Sequence, residues 1–281
     1  MLNTHVLVSS THYFSTEFSL NPYMMGEPLD RRKAQQEHQA IVAGFQRAGI
    51  TVTQVVPPPR CQDGVYVANW ALVHDGIAIM AHLPEIRSNE EPYARAVLTD
   101  LGLRCVEVPN ALLFSGQGDS LICGSYLFGG QTYRSDASAQ RFAAQTLGLD
   151  LVLLETVPFT ADSHLRINIM TRRPESLFYD LDLALAVIDE HTIAYVPEAF
   201  TDQSRKALEA LPIERIAVDF EEAVGDFACN LVSTGETVVM SSSAPRFRAD
   251  LEKRGLSVIP VSATEIQKGG GFIRCISLTI S

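Results

Sequence analysis

Clustered positive charge is what this sequence most lacks. It carries 22 Lys and Arg against 33 Asp and Glu, a formal net charge of −11, and a surface that grips phosphates needs the opposite balance, so nucleic acid is not an expected partner. A cationic small molecule suits such a chain, although net charge does not locate a site. No apolar run approaches the eighteen or more residues that span a bilayer. The start, Met1-Leu2-Asn3-Thr4-His5-Val6, has no basic segment leading into a long apolar one, so the expected location is cytoplasmic, away from membranes. Paired cysteines are missing too. Cys61, Cys105, Cys123, Cys229 and Cys275 are odd in number and widely spaced, with no Cys-x-x-Cys and no His-rich ligand spacing. Neither a disulfide framework nor a structural zinc is indicated, and neither metal nor organic cofactor is expected. A buried, inert thiol is the ordinary reading of a cysteine without special surroundings. Nothing in the sequence bears on oligomeric state.

What is present suffices for a large core: 281 residues, 46% of them hydrophobic, expected to form one domain over 1–281. A helical face (Ala34, Ile41, Phe45, Ala48) runs between Asp30 and Gly49, and a β-branched run from Thr51 to Val56 follows. After Pro57-Pro58-Pro59, residues 65–73 and 77–81 read as a hairpin around Asp75-Gly76. The same order returns, with a helix at 90–102, a strand at 104–109, hairpin strands near 120–123 and 126–128, a helix at 137–147 and a strand at 151–157. It returns again as strands 181–188 and 192–197, helix 202–211, strand 215–220, then strands 230–233 and 237–241, helix 244–254 and strand 257–261. The closing strand Ile276–Ile280 pairs with Val6–Ser9 to complete a fifth unit. Five β-β-α-β units predict an α/β propeller, because radial repetition protects sheet edges.

A polar residue stands at the same place in each unit, at or just before the first hairpin strand: Asp63, Asp119, Asp180, Asn230 and Cys275. Asp and Asn also precede strands simply because they make good turns. In a ring, however, the five converge on one cleft. The last of them follows Lys268-Gly269-Gly270-Gly271-Phe272-Ile273-Arg274, where consecutive glycines permit positive φ and close approach of backbone to a ligand. A turn before a structural cysteine looks similar. A phosphate cradle does not fit, since no helix pattern and no Lys-Ser/Thr pair follow the glycines.

This segment resembles the nucleophile motif of dimethylargininases, arginine deiminases and related arginine hydrolases, the guanidino-modifying pentein enzymes. Asn21-Pro22-Tyr23-Met24, Gln62 to Asn69, Phe114 to Asp119, Tyr133 to Asp136 and Phe178-Tyr179-Asp180-Leu181-Asp182 are similar to the family's other motifs, in order. The resemblance implies a pentein fold and attack of Cys275 on the carbon of a small-molecule guanidinium. Loss of ammonia or an alkylamine then leaves an amidino adduct for hydrolysis or transfer. It implies Asp63 and Asn69 beside the substrate, and Arg87 and Arg134 as candidates for gripping an α-carboxylate; since Ser115 cannot carry charge, Asp119 is the expected second carboxylate. A bound cation favours a thiolate, and carboxylates holding the guanidinium by paired hydrogen bonds fix its plane.

Two positions depart from the family pattern. Ser115 stands where most active members have Glu or Asp, and Asp180 stands where they have the catalytic His. Three readings stay open: a hydrolase with a rearranged acid and base, a pentein that binds its ligand without turnover, and an amidinotransferase. One rearrangement draws on an apparent insertion, Pro158 to Pro174, read as a lid that delivers His164 toward Cys275 while Asp180 orients it or the substrate. Imidazole is the side chain best poised near pH 7 for this work. An ordinary solvated loop histidine is the plainer alternative.

Overall fold

The computed structural model describes residues 3–109, 112–131, 133–158 and 166–281. Among these residues, fifteen strands form five three-stranded sheets of one design. The sheets are β15 (Ser277–Thr279), β1 (His5–Ser9) and β2 (Thr51–Val55); β3 (Ala71–His74), β4 (Ile77–Met80) and β5 (Arg104–Glu107); β6 (Ser120–Cys123), β7 (Tyr126–Gln131) and β8 (Asp150–Glu155); β9 (Leu185–Val187), β10 (Thr192–Tyr195) and β11 (Glu214–Ala217); and β12 (Val232–Ser233), β13 (Thr237–Ser241) and β14 (Ser257–Val261). In each, the first two strands are antiparallel and the third runs parallel to the middle one, reached through a helix. A parallel neighbour needs such a crossover, which is why every hairpin in the sequence is followed by a helical pattern.

The helices form where the periodicity placed them. In Arg31–Arg47, the Asp30 side chain caps the first turn by accepting from the Lys33 amide at 3.0 Å, and Ala34, Ile41 and Phe45 are buried. Gly49, at φ 80°, lets the chain turn straight into β2. A Cβ on Gly44 of this helix would stand 3.1 Å from Val239, so the glycine lets the helix settle closely on β13. Full burial of Ile41 or Phe45 is worth about 1.5–3 kcal/mol each.

Differences from the sequence reading concentrate before the first strands of two units, where residues form a short turn of helix instead of extending the strand: Val67–Trp70 before β3 and Leu181–Leu183 before β9; Gly116–Asp119 makes a like turn before β6. These turns carry polar side chains toward the centre, where a pleated strand would send successive residues to opposite faces. Phe220–Asp226 is a further helix after β11, where continuation of a strand was expected. Asp219 caps it, accepting from the amides of Glu221 and Glu222. Among the described residues no helix is long and apolar enough to cross a membrane.

Candidate active site

The turns before the first strands meet at a tight cleft, with Asp63, Asn69, Arg87, Ser115, Arg134, Asp180 and Cys275 in its walls. Cys275 is held from several sides. Its amide and those of Phe272 and Arg274 all donate to Asn230 Oδ1, at 3.2, 3.1 and 3.0 Å. Its Sγ accepts from Asn230 Nδ2 at 3.1 Å and donates to Asp182 Oδ2 at 3.3 Å. The glycine turn is clamped as well: Asn21 Nδ2 donates to the Gly269 carbonyl, Tyr179 Oη to the Gly270 carbonyl and Tyr66 Oη to the Ile266 carbonyl. Gly270 has φ 88°, and a Cβ there would lie 2.3 Å from Asn21 Oδ1, so only glycine lets that clamp close.

The electrostatics favour uncharged acids in the resting site. Burial pushes the Cys275 thiol well above its ordinary value, and Asp182 and Asp180 push it further. Asp182 and Asp180 are themselves raised, each first by burial and Asp182 also by Asp180, while Arg134, Asn69, Arg87 and Ser115 act the other way on Asp180. Asp63 is raised to about 6 by burial against the opposing pull of Arg87. A buried cluster of carboxylates that resists ionisation is one that a cation can discharge.

Asp180 accepts from Asn69 Nδ2 at 3.0 Å and from Ser115 Oγ at 3.2 Å. Asn69 is committed on its other side, its Oδ1 accepting from Arg87 at 2.8 Å. Arg87 was expected to grip a carboxylate, and the geometry points elsewhere. It donates through Nε and Nη2 to Glu90 at 2.9 and 2.7 Å, and also to Asn69 and to the carbonyls of Asp63 and Tyr66. It lines the cleft beside Asp63, but with its donors so used and 7% of its surface exposed it braces the wall. Arg134 remains turned to the cleft, its guanidinium carbon 4.7 Å from the centre of the Tyr179 ring and Nη2 donating to the Leu20 carbonyl. Its neighbour Asp136 pairs instead with Arg173, at 3.0 Å.

Asp119 also departs from expectation. It sits beneath the cleft, taking the Leu181 amide at 3.1 Å, with Oδ2 left without a partner; burial and Asp180 raise it to about 7. The carboxylate that reaches the thiol is Asp182, which sequence reasoning quoted within a motif but did not select. A signal existed in its spacing, two residues beyond Asp180. In the extended entry to a turn, that spacing returns a side chain toward the same centre. Asn230 was singled out only as one of the five unit markers. His164 lies outside the described residues, and no other histidine lines the cleft among those described. Among the described residues there is also no group of three metal-binding side chains placed to hold an ion.

The fold and the site define a cysteine-dependent, guanidino-modifying hydrolase of the pentein class. Residues 25–281 match the family model described as N,N dimethylarginine dimethylhydrolase, eukaryotic, and the chain belongs to that family. It is 33% identical over 271 residues to the N(G),N(G)-dimethylarginine dimethylaminohydrolase of Mycobacterium tuberculosis, covering 95% of this chain and 83% of that protein. It is 27% identical over 282 residues to the bifunctional arginine dihydrolase/ornithine cyclodeaminase AgrE of Nostoc, spanning 37% of that longer protein. Among solved structures, the product-bound N-terminal domain of ArgZ, a cyanobacterial arginine dihydrolase, superposes with a TM-score of 0.88 at 25% identity, over 99% of this chain and 97% of that one.

Proposed function

We propose that the chain hydrolyses the guanidino group of free arginine or an N-methylated arginine through an amidino adduct on Cys275, with Asp180 moving the protons. The observation that carries this reading is the Cys275 thiol donating to Asp182 at 3.3 Å beside a cleft walled by Asp63 and Asp180. A guanidinium entering there replaces lost solvation with carboxylate contacts and offsets the charge that keeps the thiol protonated. The bound cation favours ionised Asp182, which then takes the thiol proton as Sγ bonds to the guanidinium carbon. The C–N bond then breaks as Asp180, held protonated by burial, gives its proton to the departing ammonia or methylated amine. Asp180, now a carboxylate, takes a proton from water, whose oxygen attacks the adduct carbon. The C–S bond breaks, the adduct's hydroxyl proton is released and leaves with the amine as its ammonium ion, the sulfur recovers its proton from Asp182, and a ureido product leaves. Arg134, stacked on Tyr179, is the remaining candidate for the substrate's α-carboxylate.

The second reading, ligand binding without turnover, rests on Asp180 occupying the position of the family's histidine. A screen of arginine, its methylated forms, agmatine and guanidino acids for release of ammonia or amine separates the two. Release that is abolished by Cys275→Ser supports hydrolysis, and binding with no release from any compound supports the second reading. For the proton carrier, Asp180→Asn is expected to lower kcat about 10²-fold or more, with His164→Ala near the parent rate. The reverse pair of results would give the role to His164.

A further inference from the structure

The bore of the ring has a second cavity, and a buried cation stands in its wall. The first strands of the five units start at the cleft and carry their later residues away from it. Val73, Ile122, Val187, Ser233 and Thr279, one from each of β3, β6, β9, β12 and β15, line a cavity. It lies at the far ends of those strands, opposite Cys275. Arg274 lines it and the next residue, Cys275, lines the cleft, so the two neighbours divide the molecule's centre between them.

Arg274 is 7% exposed. Its Nη1 donates to Thr279 Oγ1 at 2.9 Å and Asn3 Oδ1 at 3.1 Å, its Nη2 donates to Gln117 Oε1, and its Nε has no partner. All three acceptors are neutral. Among the described residues no carboxylate lies within the 4.0 Å of an ion pair. A guanidinium offers five N–H donors, and a buried charge without a counter-charge is costly. Burial lowers the Arg274 pKa to about 10, while Asp182 and Cys275 support its charge. Apolar side chains, Leu121, Leu185, Ile188 and Leu231, make up much of the remaining wall.

We propose that this cavity binds a short-chain aliphatic carboxylate, its head against the Arg274 guanidinium and its tail along the apolar strand walls, and that occupancy makes Cys275 less reactive. The coupling follows from charge. Arg274 favours a thiolate at Cys275, and an anion bound to the guanidinium cancels that support. The neutral acceptors fix the guanidinium plane but do not neutralise it. The apolar wall selects a carboxylate with a hydrocarbon tail over a bare inorganic anion.

The test uses the whole chain with butyrate, and with butyramide as its neutral isostere, at constant ionic strength. Two quantities are read: the melting temperature, and the rate of Cys275 alkylation by iodoacetamide followed by mass spectrometry. Neither depends on turnover, so the outcome is independent of the proposed hydrolysis. Butyrate is expected to raise the melting temperature saturably and to slow alkylation about fivefold or more, the usual size of coupling between two sites. Butyramide is expected to do neither. Val187→Phe, which fills the bore while leaving Arg274 in place, is expected to abolish both responses with the basal alkylation rate retained. Arg274→Gln is expected to abolish them by removing the charge; should it fail to fold, Val187→Phe carries the test. No saturable response to butyrate, an equal response to butyramide, or a response intact in Val187→Phe overturns the proposal, the last by locating the anion elsewhere.

Discussion

Asn230 is the residue whose removal should damage the site most. Its Oδ1 accepts three backbone amides of the nucleophile turn, those of Phe272, Arg274 and Cys275, and its Nδ2 donates to Cys275 Sγ and to the Asp182 carbonyl at 3.3 Å. It is wholly buried. Asn230→Ala leaves three buried N–H groups without an acceptor. Each unpaired buried group costs about 1–3 kcal/mol, and a water entering the vacated space recovers part of that, so a net loss of about 3–6 kcal/mol is expected. Against the roughly 5–15 kcal/mol typical of a whole domain, that is a large fraction. Asn230→Asp separates structure from chemistry: one oxygen keeps the three amides, while the other turns an acceptor toward Sγ and the Asp182 carbonyl where a donor stood. That variant should fold with a smaller loss and alkylate at Cys275 about tenfold more slowly, since a carboxylate beside sulfur opposes the thiolate. Urea unfolding followed by the fluorescence of Trp70, the single tryptophan, reads the first effect, and iodoacetamide labelling reads the second. An Asn230→Ala protein within about 1 kcal/mol of the parent, or an Asn230→Asp protein labelled at the parent rate, would refute the reasoning.

A cationic haloamidine should label Cys275 selectively, because only there does a bound cation offset the acids that hold the thiol neutral. Burial pushes the Cys61 and Cys123 thiols up to about 11 with no such site beside them, and adduct at those positions in mass spectrometry would count against the assignment. Asp63→Asn should weaken binding of the preferred cationic ligand more than tenfold, from the roughly 2–5 kcal/mol that a desolvated charge partner carries; calorimetry giving an unchanged Kd would remove Asp63 from the site. Asp63 and Asp119, raised to about 6 and about 7, keep protons in the folded chain that the unfolded chain releases near pH 4. Their contribution to stability is therefore full below about pH 4 and is lost as pH rises through 6 to 7. Asp119→Asn should flatten that fall, and an unaltered slope in urea midpoints between pH 5 and pH 8 would contradict the burial argument.

The repeating plan was legible because it rests on local signals. Helix 137–147 and strands 237–241 and 257–261 were read with the bounds they have, as apolar periodicity and glycine or proline punctuation settle such elements without tertiary help. What periodicity misread were the turns at 67–70 and 181–183, where apolar neighbours such as Val67, Trp70 and Leu181 suggested strands, and it gave no sign of the turn at 116–119. There the backbone bends to bring Asn69, Asp119 and Asp182 inward, a demand set by four other units far away in sequence. The commitments of Arg87 were illegible for a related reason. Its partner Glu90 is only three residues on, but nothing local announces that the guanidinium is buried and tied to it. Cys275 stood out because the glycine run that exposes it is contiguous with it.

The two departures from the family pattern make sense together as a relocation of charge. The resembling enzymes place a carboxylate at the Ser115 position and an imidazole at the Asp180 position. Here the carboxylate is at 180 and a neutral hydroxyl at 115, and the two are joined directly, Ser115 Oγ donating to Asp180 Oδ1 at 3.2 Å. The number of acids around the nucleophile is thereby preserved while their position shifts. A carboxyl group normally gives up its proton too readily to serve an amine leaving group at neutral pH. At 3% exposure Asp180 holds its proton more tightly, burial outweighing the opposing pull of Arg134, Asn69, Arg87 and Ser115, which is the direction the proposed proton transfer needs. The hydrogen bonds from Asn69 and Ser115 fix its orientation within the cleft.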